Sequence, residues 1–335
     1  MSEDGAPHRH HDDSHEAPPD NPLSVGLITP AISLLSRTGN GLSHAYTKLT
    51  LISAGITDIK LLNSYPHLRY VDLSMNAIKD VAPLAALEFL LSADLHGNRI
   101  ERVGQELGNL KYLQHVDLKA NSIRQWEVTG WPLCGFLNLD DNALSGLALP
   151  EFTSLLHLSA TRNTLEYATP LNTPTLQKLY LSNNPIAKVS NVDLNDKKHL
   201  QMLHLRECGL ESLEGFAGAD GKALPALVYL NLRGNNIHST AEIDHLSYIT
   251  TLRILVLLDN PVTSHPTYRL EILARVPKLD RLDKDPITDE EREEASAYKI
   301  QMVEKNHAAG ADGAEGDGQQ QDSDADKDED LGNDD

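Results

Sequence analysis

The stretch LVYLNLRGNNI at residues 227–237 decides the fold of this chain. Its leucines alternate with polar residues, and an asparagine stands two places before the final isoleucine. The same pattern recurs at eight other places, and a degenerate first copy covers Leu49 to Ile56. The eight are 68–78, 90–100, 113–123, 134–144, 155–165, 176–186, 200–210 and 252–262. Copies that follow one another at intervals of 21 to 27 residues indicate a repeat array.

The repeat is leucine-rich, and its spacing predicts a solenoid of the α/β class. In each copy the alternating leucines of a short strand point inward and the intervening residues point outward. One strand cannot bury its apolar face alone, so about ten strands stack in parallel and form a continuous core. Because the repeats are short, we expect 3₁₀ or short helical turns on the convex side. A helical N-terminal cap and a C-terminal cap with a helix are expected to cover the two ends.

A structural turn follows each strand, and its backbone groups must be paired because they are buried between neighbouring repeats. An asparagine amide offers two donors and an acceptor for this purpose. We assign this role to Asn76, Asn98, Asn121, Asn142, Asn163, Asn184, Asn235 and Asn260. Cys208 occupies the position in the eighth repeat, where a thiol is a weaker substitute.

Composition divides the chain into five parts. We predict a disordered His/Asp/Pro-rich tail at 1–22, an N-terminal cap at 23–48, the repeat array at 49–262, a C-terminal cap and helix at 263–306, and a disordered acidic tail at 307–335. Thr29-Pro30 is typical of a helix start. Thr288 and Glu291 form a capping box, which predicts a helix running to about Lys305.

The net charge of −20 belongs mainly to the two tails. Residues 311–335 contain eleven acidic residues against one lysine, and residues 1–22 contain six against one arginine. The body is therefore nearly neutral and has no clustered basic face, so we expect no nucleic-acid partner. No apolar run approaches the length that spans a bilayer, and the N-terminus lacks the apolar stretch of a signal peptide, so we expect no membrane association.

The two cysteines favour a reducing compartment. Cys134 and Cys208 lie three strands apart, roughly 14 Å at the usual strand spacing, which is too far for a disulfide. The array also lacks cysteine-rich end caps. We therefore expect a cytoplasmic protein.

No catalytic motif is present, and we expect neither enzyme activity, nor a metal, cofactor or small-molecule substrate. The outward histidines at 96, 115, 157 and 204 are interpreted as solvated surface residues, since strands two apart are too distant to share one zinc ion. A thiol–imidazole pair of His204 and Cys208 is disfavoured, because Cys208 faces a structural turn.

The outward strand positions form the candidate partner-binding face. Asp72, Asp94 and Asp117 follow one another in successive repeats, and Arg162, Lys178, Arg206 and Arg233 come further along. The concave surface is thus expected to change from acidic to basic along its length. Ordinary solvated charges would give the same pattern, but stacked like charges cost stability, which favours recognition.

The tenth repeat is apolar on both faces, with Ile254, Val256 and Leu258 at outward positions. Tyr229 and Tyr180 extend this apolar stripe toward earlier repeats. Such a stripe requires a cover. Two candidates remain open: a binding partner, or the chain's own helix at 289–305 presenting Ala295, Tyr298 and Met302.

Three segments resemble the leucine-rich repeat-containing protein 23 family: LLSRTGNGLSHAYTKL (34–49), ITDIKLLNSYPHLRYVDLS (56–74) and the cap YRLEILARVPKLDRLDK (268–284). The likeness extends over about 23–306, and TGNGLSHAYTKL (38–49) is its most specific part. The resemblance implies a non-catalytic radial spoke component of motile cilia and flagella, located in the axoneme of the cytoskeleton and bound to other spoke proteins.

Two other functions remain alternatives to this one. One is a soluble regulatory adaptor resembling the repeat-containing regulators of phosphatases. The other is a ribonucleoprotein component, because a spliceosomal repeat protein has a similar cap. The nearly neutral body disfavours the second alternative.

Overall fold

The computed structural model describes residues 19–38, 41–216 and 224–312, with side chains up to residue 302. The strands are β1 (Ile32–Arg37), β2 (His44–Thr50), β3 (Tyr70–Asp72), β4 (Ser92–Asp94), β5 (Arg102–Val103), β6 (His115–Asp117), β7 (Gln125–Trp126), β8 (Phe136–Asn138), β9 (Gly146–Leu149), β10 (His157–Ser159), β11 (Tyr167–Leu171), β12 (Lys178–Tyr180), β13 (Met202–His204), β14 (Tyr229–Asn231), β15 (Ile254–Val256), β16 (Arg281–Leu282) and β17 (Asp285–Pro286). The α-helices are α1 (Val25–Ile28), α2 (Tyr268–Arg275) and α3 (Asp289–Asp312).

One sheet of thirteen strands runs through the molecule in the order β1-β2-β3-β4-β6-β8-β10-β12-β13-β14-β15-β16-β17. Neighbours from β2 to β16 are parallel, and an antiparallel strand closes each end. The register repeats without a shift, so that Leu137, Leu158 and Leu179 lie side by side. These three leucines are fully buried. The predicted leucine-rich repeat solenoid is therefore confirmed.

The convex side is built from short pieces because few residues remain between one strand and the next. It contains 3₁₀ helices at Lys60–Ser64, Ala82–Ala86, Gln105–Asn109, Val189–Asn191 and Thr240–Leu246, and a further one, Pro261–Ser264, precedes α2. Two small parallel pairs, β5 with β7 and β9 with β11, form the rest of its regular structure. Trp126, Trp131 and Phe152 pack together there with ring centroids 5.7 to 6.3 Å apart.

The turn asparagines join each repeat to the one before it, and we call this series the asparagine ladder. In Asn235, Oδ1 accepts from the backbone N–H groups of Cys208 and Leu210, both at 3.0 Å. Its Nδ2 donates to the carbonyl oxygens of Leu205 and Leu232 at 2.8 and 2.7 Å. Comparable bonds surround the other members. Each amide thus satisfies backbone groups that water does not reach.

The residue before each turn position adopts the left-handed conformation, with φ between 52° and 68°. Only two of the ten are glycines; the set is Ser53, Met75, Gly97, Ala120, Asp141, Arg162, Asn183, Glu207, Gly234 and Asp259. This conformation is costly for residues with a Cβ. It persists because the asparagine bonds on its C-terminal side fix the backbone.

Cys208 takes the asparagine's place with a weaker set of bonds. Its Sγ lies 3.5 Å from the carbonyl oxygens of Leu181 and Arg206, which an asparagine would contact through Nδ2. The thiol offers no acceptor to the backbone of the preceding repeat. Instead, the Cys208 carbonyl accepts from Ala187 N at 3.1 Å, and Ala187 is itself left-handed.

The N-terminal cap differs from the prediction. Thr29 ends the single helical turn α1 instead of starting a helix, and the following residues form the hairpin β1–β2. The second half of β2 is the first repeat strand, which pairs with β3. The other edge of β2 would have unpaired backbone groups without β1, and an antiparallel strand satisfies them directly, which favours the hairpin over a helix.

The chain makes contacts with the first repeat before the predicted start of the N-terminal cap at residue 23. Asn21 N donates to Thr57 Oγ1 at 2.9 Å, and Asn21 Nδ2 donates to the Ala54 carbonyl at 3.0 Å. Pro22 forms a bridge with Asp58. The chain therefore packs on the first repeat from about Asp20. The remainder of the predicted N-terminal tail, residues 1–18, lies outside the described residues.

At the C-terminus the predicted capping box forms, because Thr288 N donates to Glu291 Oε2 at 2.9 Å and Glu291 N to Thr288 Oγ1 at 3.2 Å. Helix α3 continues to Asp312 rather than ending near Lys305. Its alanine-rich end is favourable to helix. The rest of the predicted acidic tail, from residue 313, lies outside the described residues.

Candidate functional site

The concave face presents two outward positions from each three-residue strand and a third position just after it. The register aligns the first positions, such as His115, Phe136 and His157, in one column. The second column begins with Asp72, Asp94 and Asp117. Strands in a stack lie about 4.8 Å apart, so long side chains within a column and on its diagonals touch.

Six ring-bearing side chains stack in an unbroken line across this face, and we call them the ring ladder. Its members are His115, Phe136, His157, Tyr180, His204 and Tyr229, with successive ring centroids 4.2, 4.9, 5.0, 4.6 and 5.0 Å apart. The line changes column twice, from His157 to Tyr180 and from His204 to Tyr229. The ladder gives the middle of the concave face a continuous strip of stacked ring edges.

Burial in the ring ladder changes the acid–base behaviour of two of its histidines. Burial lowers the pKa of His157, and the nearby Lys178 ammonium lowers it further. Burial alone lowers the pKa of His204. Tyr180 Oη, whose pKa is raised mainly by burial, donates to Met202 Sδ at 3.0 Å. These rings therefore favour the uncharged state and act as apolar surface rather than as acid–base groups.

The three aspartates at the N-terminal end hold the strand ends. Asp72 Oδ1 accepts from Ser74 N at 3.2 Å, and Asp94 Oδ1 accepts from His96 N at 3.2 Å. Asp117 Oδ1 accepts from Lys119 N at 2.9 Å. Asn138 and Asn231 make the same bond in later repeats. This local role was not predicted from the sequence. It could have been indicated by the recurrence, at the end of a strand, of a side-chain acceptor that reaches the backbone N–H two residues later.

The arginines in the second half of the face are paired with carboxylates. Arg162 binds Asp141, Arg206 binds Glu207, and Arg233 Nε lies 2.6 Å from Asp259 Oδ2. Asp141 also lies 4.0 Å from Lys119 Nζ. These pairs neutralise the arginine end of the face. The face therefore does not become basic along its length as expected. Lys178 has no carboxylate within ion-pair distance among the described residues.

Ile254, Val256 and Leu258 lie at the C-terminal end of the face and remain partly exposed. Tyr229 stands beside Ile254 in the register, so the ring ladder continues into this apolar end. The proposed cover by the chain's own helix is not observed. Helix α3 packs instead on α2, with Ala295 buried, and α2 lies against Thr240–Leu246 on the convex side.

Contacts of single side chains fix this position of α3. Tyr298 Oη lies 3.4 Å from Glu271 Oε1, and Glu271 accepts from Thr240 and Thr267. Arg292 donates to the carbonyl oxygens of Pro277 and Leu279 at 2.8 Å. The apolar end of the concave face is therefore left for something other than α3.

Neither cysteine has the properties of a nucleophile. Burial raises the pKa of Cys208 to about 12 and that of Cys134 to about 12. Both are buried free thiols. Within the described ranges, no three His, Cys, Asp or Glu side chains form a metal-binding group. In the same ranges, no helix has the length and apolarity needed to cross a bilayer.

Comparison with known proteins places this repeat array among leucine-rich repeat proteins. A family model described as "Leucine-rich repeat" matches residues 176–309, and a second, described as "Leucine Rich repeat", matches 66–82. The human protein named leucine-rich repeat-containing protein 23 is 38% identical over 287 residues, covering 85% of this chain and 81% of the human protein. This chain belongs to the leucine-rich repeat-containing protein 23 family.

Other similarities of this family member are more limited. "U2 small nuclear ribonucleoprotein A'" of Emericella nidulans is 34% identical over 135 residues, 40% of this chain and 55% of that protein. Among solved structures, a chain of "Octameric complex of Latrophilin 3 (Lec, Olf), Unc5D (Ig, Ig2, TSP1) and FLRT2 (LRR)" matches with a TM-score of 0.49 and 19% identity, over 72% of this chain and 85% of that chain. Repeat fold and family membership together make this a protein-interaction repeat protein.

Proposed function

We propose that this protein is a non-catalytic structural component of the motile-cilium axoneme, located in a radial spoke and binding other spoke proteins through its concave face. Membership of the leucine-rich repeat-containing protein 23 family carries this proposal, because the similarity covers 85% of the chain. The function itself follows from what the family resemblance implies. The protein acts in the cytoplasm and cytoskeleton, without a cofactor, nucleic acid, membrane or small-molecule substrate.

A non-catalytic role agrees with the chemistry of the face. His157 and His204 are stacked between rings, and burial lowers the pKa of each, which favours the uncharged state. The two thiols are buried, and burial raises the pKa of each. What the face offers is shape, apolar area and a few charges, which are the means by which repeat proteins bind other proteins.

The location can be tested by imaging the full-length protein with a fluorescent tag in ciliated or flagellated cells of its source organism. We expect a continuous signal along motile axonemes that resists detergent extraction, together with impaired motility when the gene is disrupted. A diffuse cytoplasmic or nuclear signal, with normal motility after disruption, would contradict the proposal.

A ribonucleoprotein role is the second candidate, favoured by the 135-residue similarity to the fungal U2 protein. That similarity covers less than half of this chain, and the concave arginines are already paired with carboxylates. Immunoprecipitation of the tagged protein followed by RNA sequencing separates the two candidates. Enrichment of a small nuclear RNA would favour the second.

A further inference from the structure

We propose that an amphipathic α-helix of a partner protein lies lengthwise along the concave face, with its apolar side on the ring ladder and a cluster of lysine or arginine residues over Asp72, Asp94 and Asp117. The inference rests on the proposed protein-binding function but not on the ciliary location.

The apolar part of this binding surface is continuous. It begins at His115, follows the ring ladder to Tyr229 and ends at Ile254, Val256 and Leu258. We call these residues together the concave strip. Exposed apolar surfaces of this extent mark interaction sites in soluble proteins. Aromatic side chains in particular contribute strongly at protein interfaces because they bury a large area at a small cost in conformational entropy.

The sheet itself selects a helix as the occupant. Every interior strand is already paired on both sides, so an extended peptide cannot join the sheet over the strip. A segment lying on side chains must satisfy its own backbone hydrogen bonds, and a helix does so internally. Most strands of the face have three residues, which gives a width of about 10 Å. A helix with its side chains is about 10–12 Å across.

The charges of the concave face determine where the partner helix carries its cationic groups. No Lys or Arg side chain lies within ion-pair distance of Asp72, Asp94 or Asp117 among the described residues, and the neighbouring His96 is the one titratable partner, with Nδ1 2.7 Å from Asp94. At the other end, Arg206 and Arg233 are already matched by carboxylates. A partner with cationic groups at the aspartate end therefore complements the face.

A pocket at the aspartate end offers room for such groups. It has a volume of about 420 Å³ and is lined by Leu34, Lys48, Tyr70, Val71, Asp72, Ser92, Asp94 and His115. Leu34 projects from the hairpin and is 55% exposed. Leu34 and Tyr70 suit the aliphatic part of a lysine or arginine, and Asp72 and Asp94 suit its charged end. Lys48 in the same lining forms no ion pair with these carboxylates among the described residues, so two carboxylates face one cation of the chain.

The same charges argue against the chain's own tails as the occupant. The C-terminal residues 311–335 have a net charge of −10 and residues 1–22 one of −5, so both would be repelled by the aspartates. A single-stranded nucleic acid is disfavoured as well, because the rings already stack on one another and its phosphates would meet the same repulsion.

Site-specific photo-crosslinking of the full-length protein in its own cells tests this inference. Benzoylphenylalanine replaces Tyr229 in one variant, Tyr70 in a second, and in a control Tyr248, which is 61% exposed and lies outside the concave strip. Mass spectrometry then identifies the crosslinked residues. Tyr70 and Tyr229 are seven strand steps apart, about 34 Å, which corresponds to about 22 residues of a helix.

We expect positions 70 and 229 to crosslink to one segment of the same partner, at sites about 22 residues apart, with lysine or arginine clustered at the site reached from position 70. Position 248 should not reach that segment. Crosslinks to the chain's own tails, to RNA, to a second copy of this chain, or to a segment without basic residues would overturn the inference. So would a yield at 70 and 229 no higher than that at 248.

A charge-neutralising variant provides a second test of the inference. In Asp72→Asn, Asp94→Asn and Asp117→Asn combined, each new side chain keeps the backbone bond that Asn138 and Asn231 already make. The crosslink yield from position 229 should fall about fivefold or more, as expected for the loss of a few exposed ion pairs. The matched control, Glu88→Gln, Glu101→Gln and Glu151→Gln, changes charge equally outside the strip and should have no effect. Equal yields from both triple variants would contradict the cationic contact, whether or not the protein is axonemal.

Discussion

The asparagine ladder and the ring ladder run side by side through the solenoid, yet they differ in what they satisfy. Asn235 binds four backbone groups of the two neighbouring repeats, so the turn depends on it. The rings of Tyr180 and His204 are each stacked between two other rings of the ladder and remain partly exposed. The first ladder completes the fold, whereas the second leaves a surface for another molecule.

The largest effect is expected from Asn121→Ala, within the asparagine ladder. The change removes the acceptor for Ile100 N at 3.1 Å and the donor to Leu95 and Leu118 at 3.1 and 2.9 Å. Leaving buried backbone groups unpaired should cost about 1–3 kcal/mol in the free energy of unfolding. Urea titration followed by circular dichroism measures it. A loss below about 0.5 kcal/mol would show that water replaces the amide.

A smaller effect is expected from Cys208→Ala, where a thiol takes the place of an asparagine in the asparagine ladder. The thiol makes two long bonds of 3.5 Å and accepts from none of the neighbouring N–H groups. Its loss should cost about 1 kcal/mol, mainly buried contact. The same urea titration checks this value against that of Asn121→Ala. If the cysteine variant lost more, the thiol would be a better substitute for asparagine than its geometry indicates.

The ring ladder predicts a pH effect of its own. Because the pKa values of His157 and His204 are lowered in the folded protein, the unfolded chain binds more protons below about pH 6.5. Their contribution to stability is complete above that pH and declines as the pH falls toward the folded pKa values. Titration of the imidazole Cε1 protons by NMR should give midpoints below about 6.5 for both residues. Midpoints above that value would show that the rings are solvated.

The smallest effect is expected from Lys119→Ala, two residues before Asn121 on the concave side. Its ammonium lies 4.0 Å from Asp141 and is about half exposed. The change should alter the free energy of unfolding by no more than about 0.5 kcal/mol. Urea titration of this variant is the control for Asn121→Ala. Equal losses in the two variants would refute the assignment of Asn121 to the structural turn and of Lys119 to the outward face.

The asparagine ladder could be predicted from the sequence because its members recur at one position of every repeat. The capping box at Thr288 and Glu291 was likewise predictable, since both partners lie within four residues of one another. Both features depend on contacts whose spacing along the chain is fixed.

The ring ladder could not be predicted in the same way because it changes column. Repeat alignment places His157 beside Lys178, but the ring that it meets belongs to Tyr180 on the diagonal. The N-terminal hairpin was missed for a related reason: Thr29-Pro30 resembles a helix start locally, while the open sheet edge that decides the outcome is a tertiary feature.

The concave face serves as a docking surface rather than as part of the core, and Val256→Asp combined with Leu258→Asp tests this role. Both side chains are partly exposed at the end of the concave strip, and helix α3 does not cover them. Tyr248→Asp, outside the strip, is the matched control. We predict that the double variant melts within a few degrees of the wild type but fails to assemble into the axoneme, while the control assembles. Unfolding or aggregation of the isolated double variant, or its normal assembly, would contradict the claim.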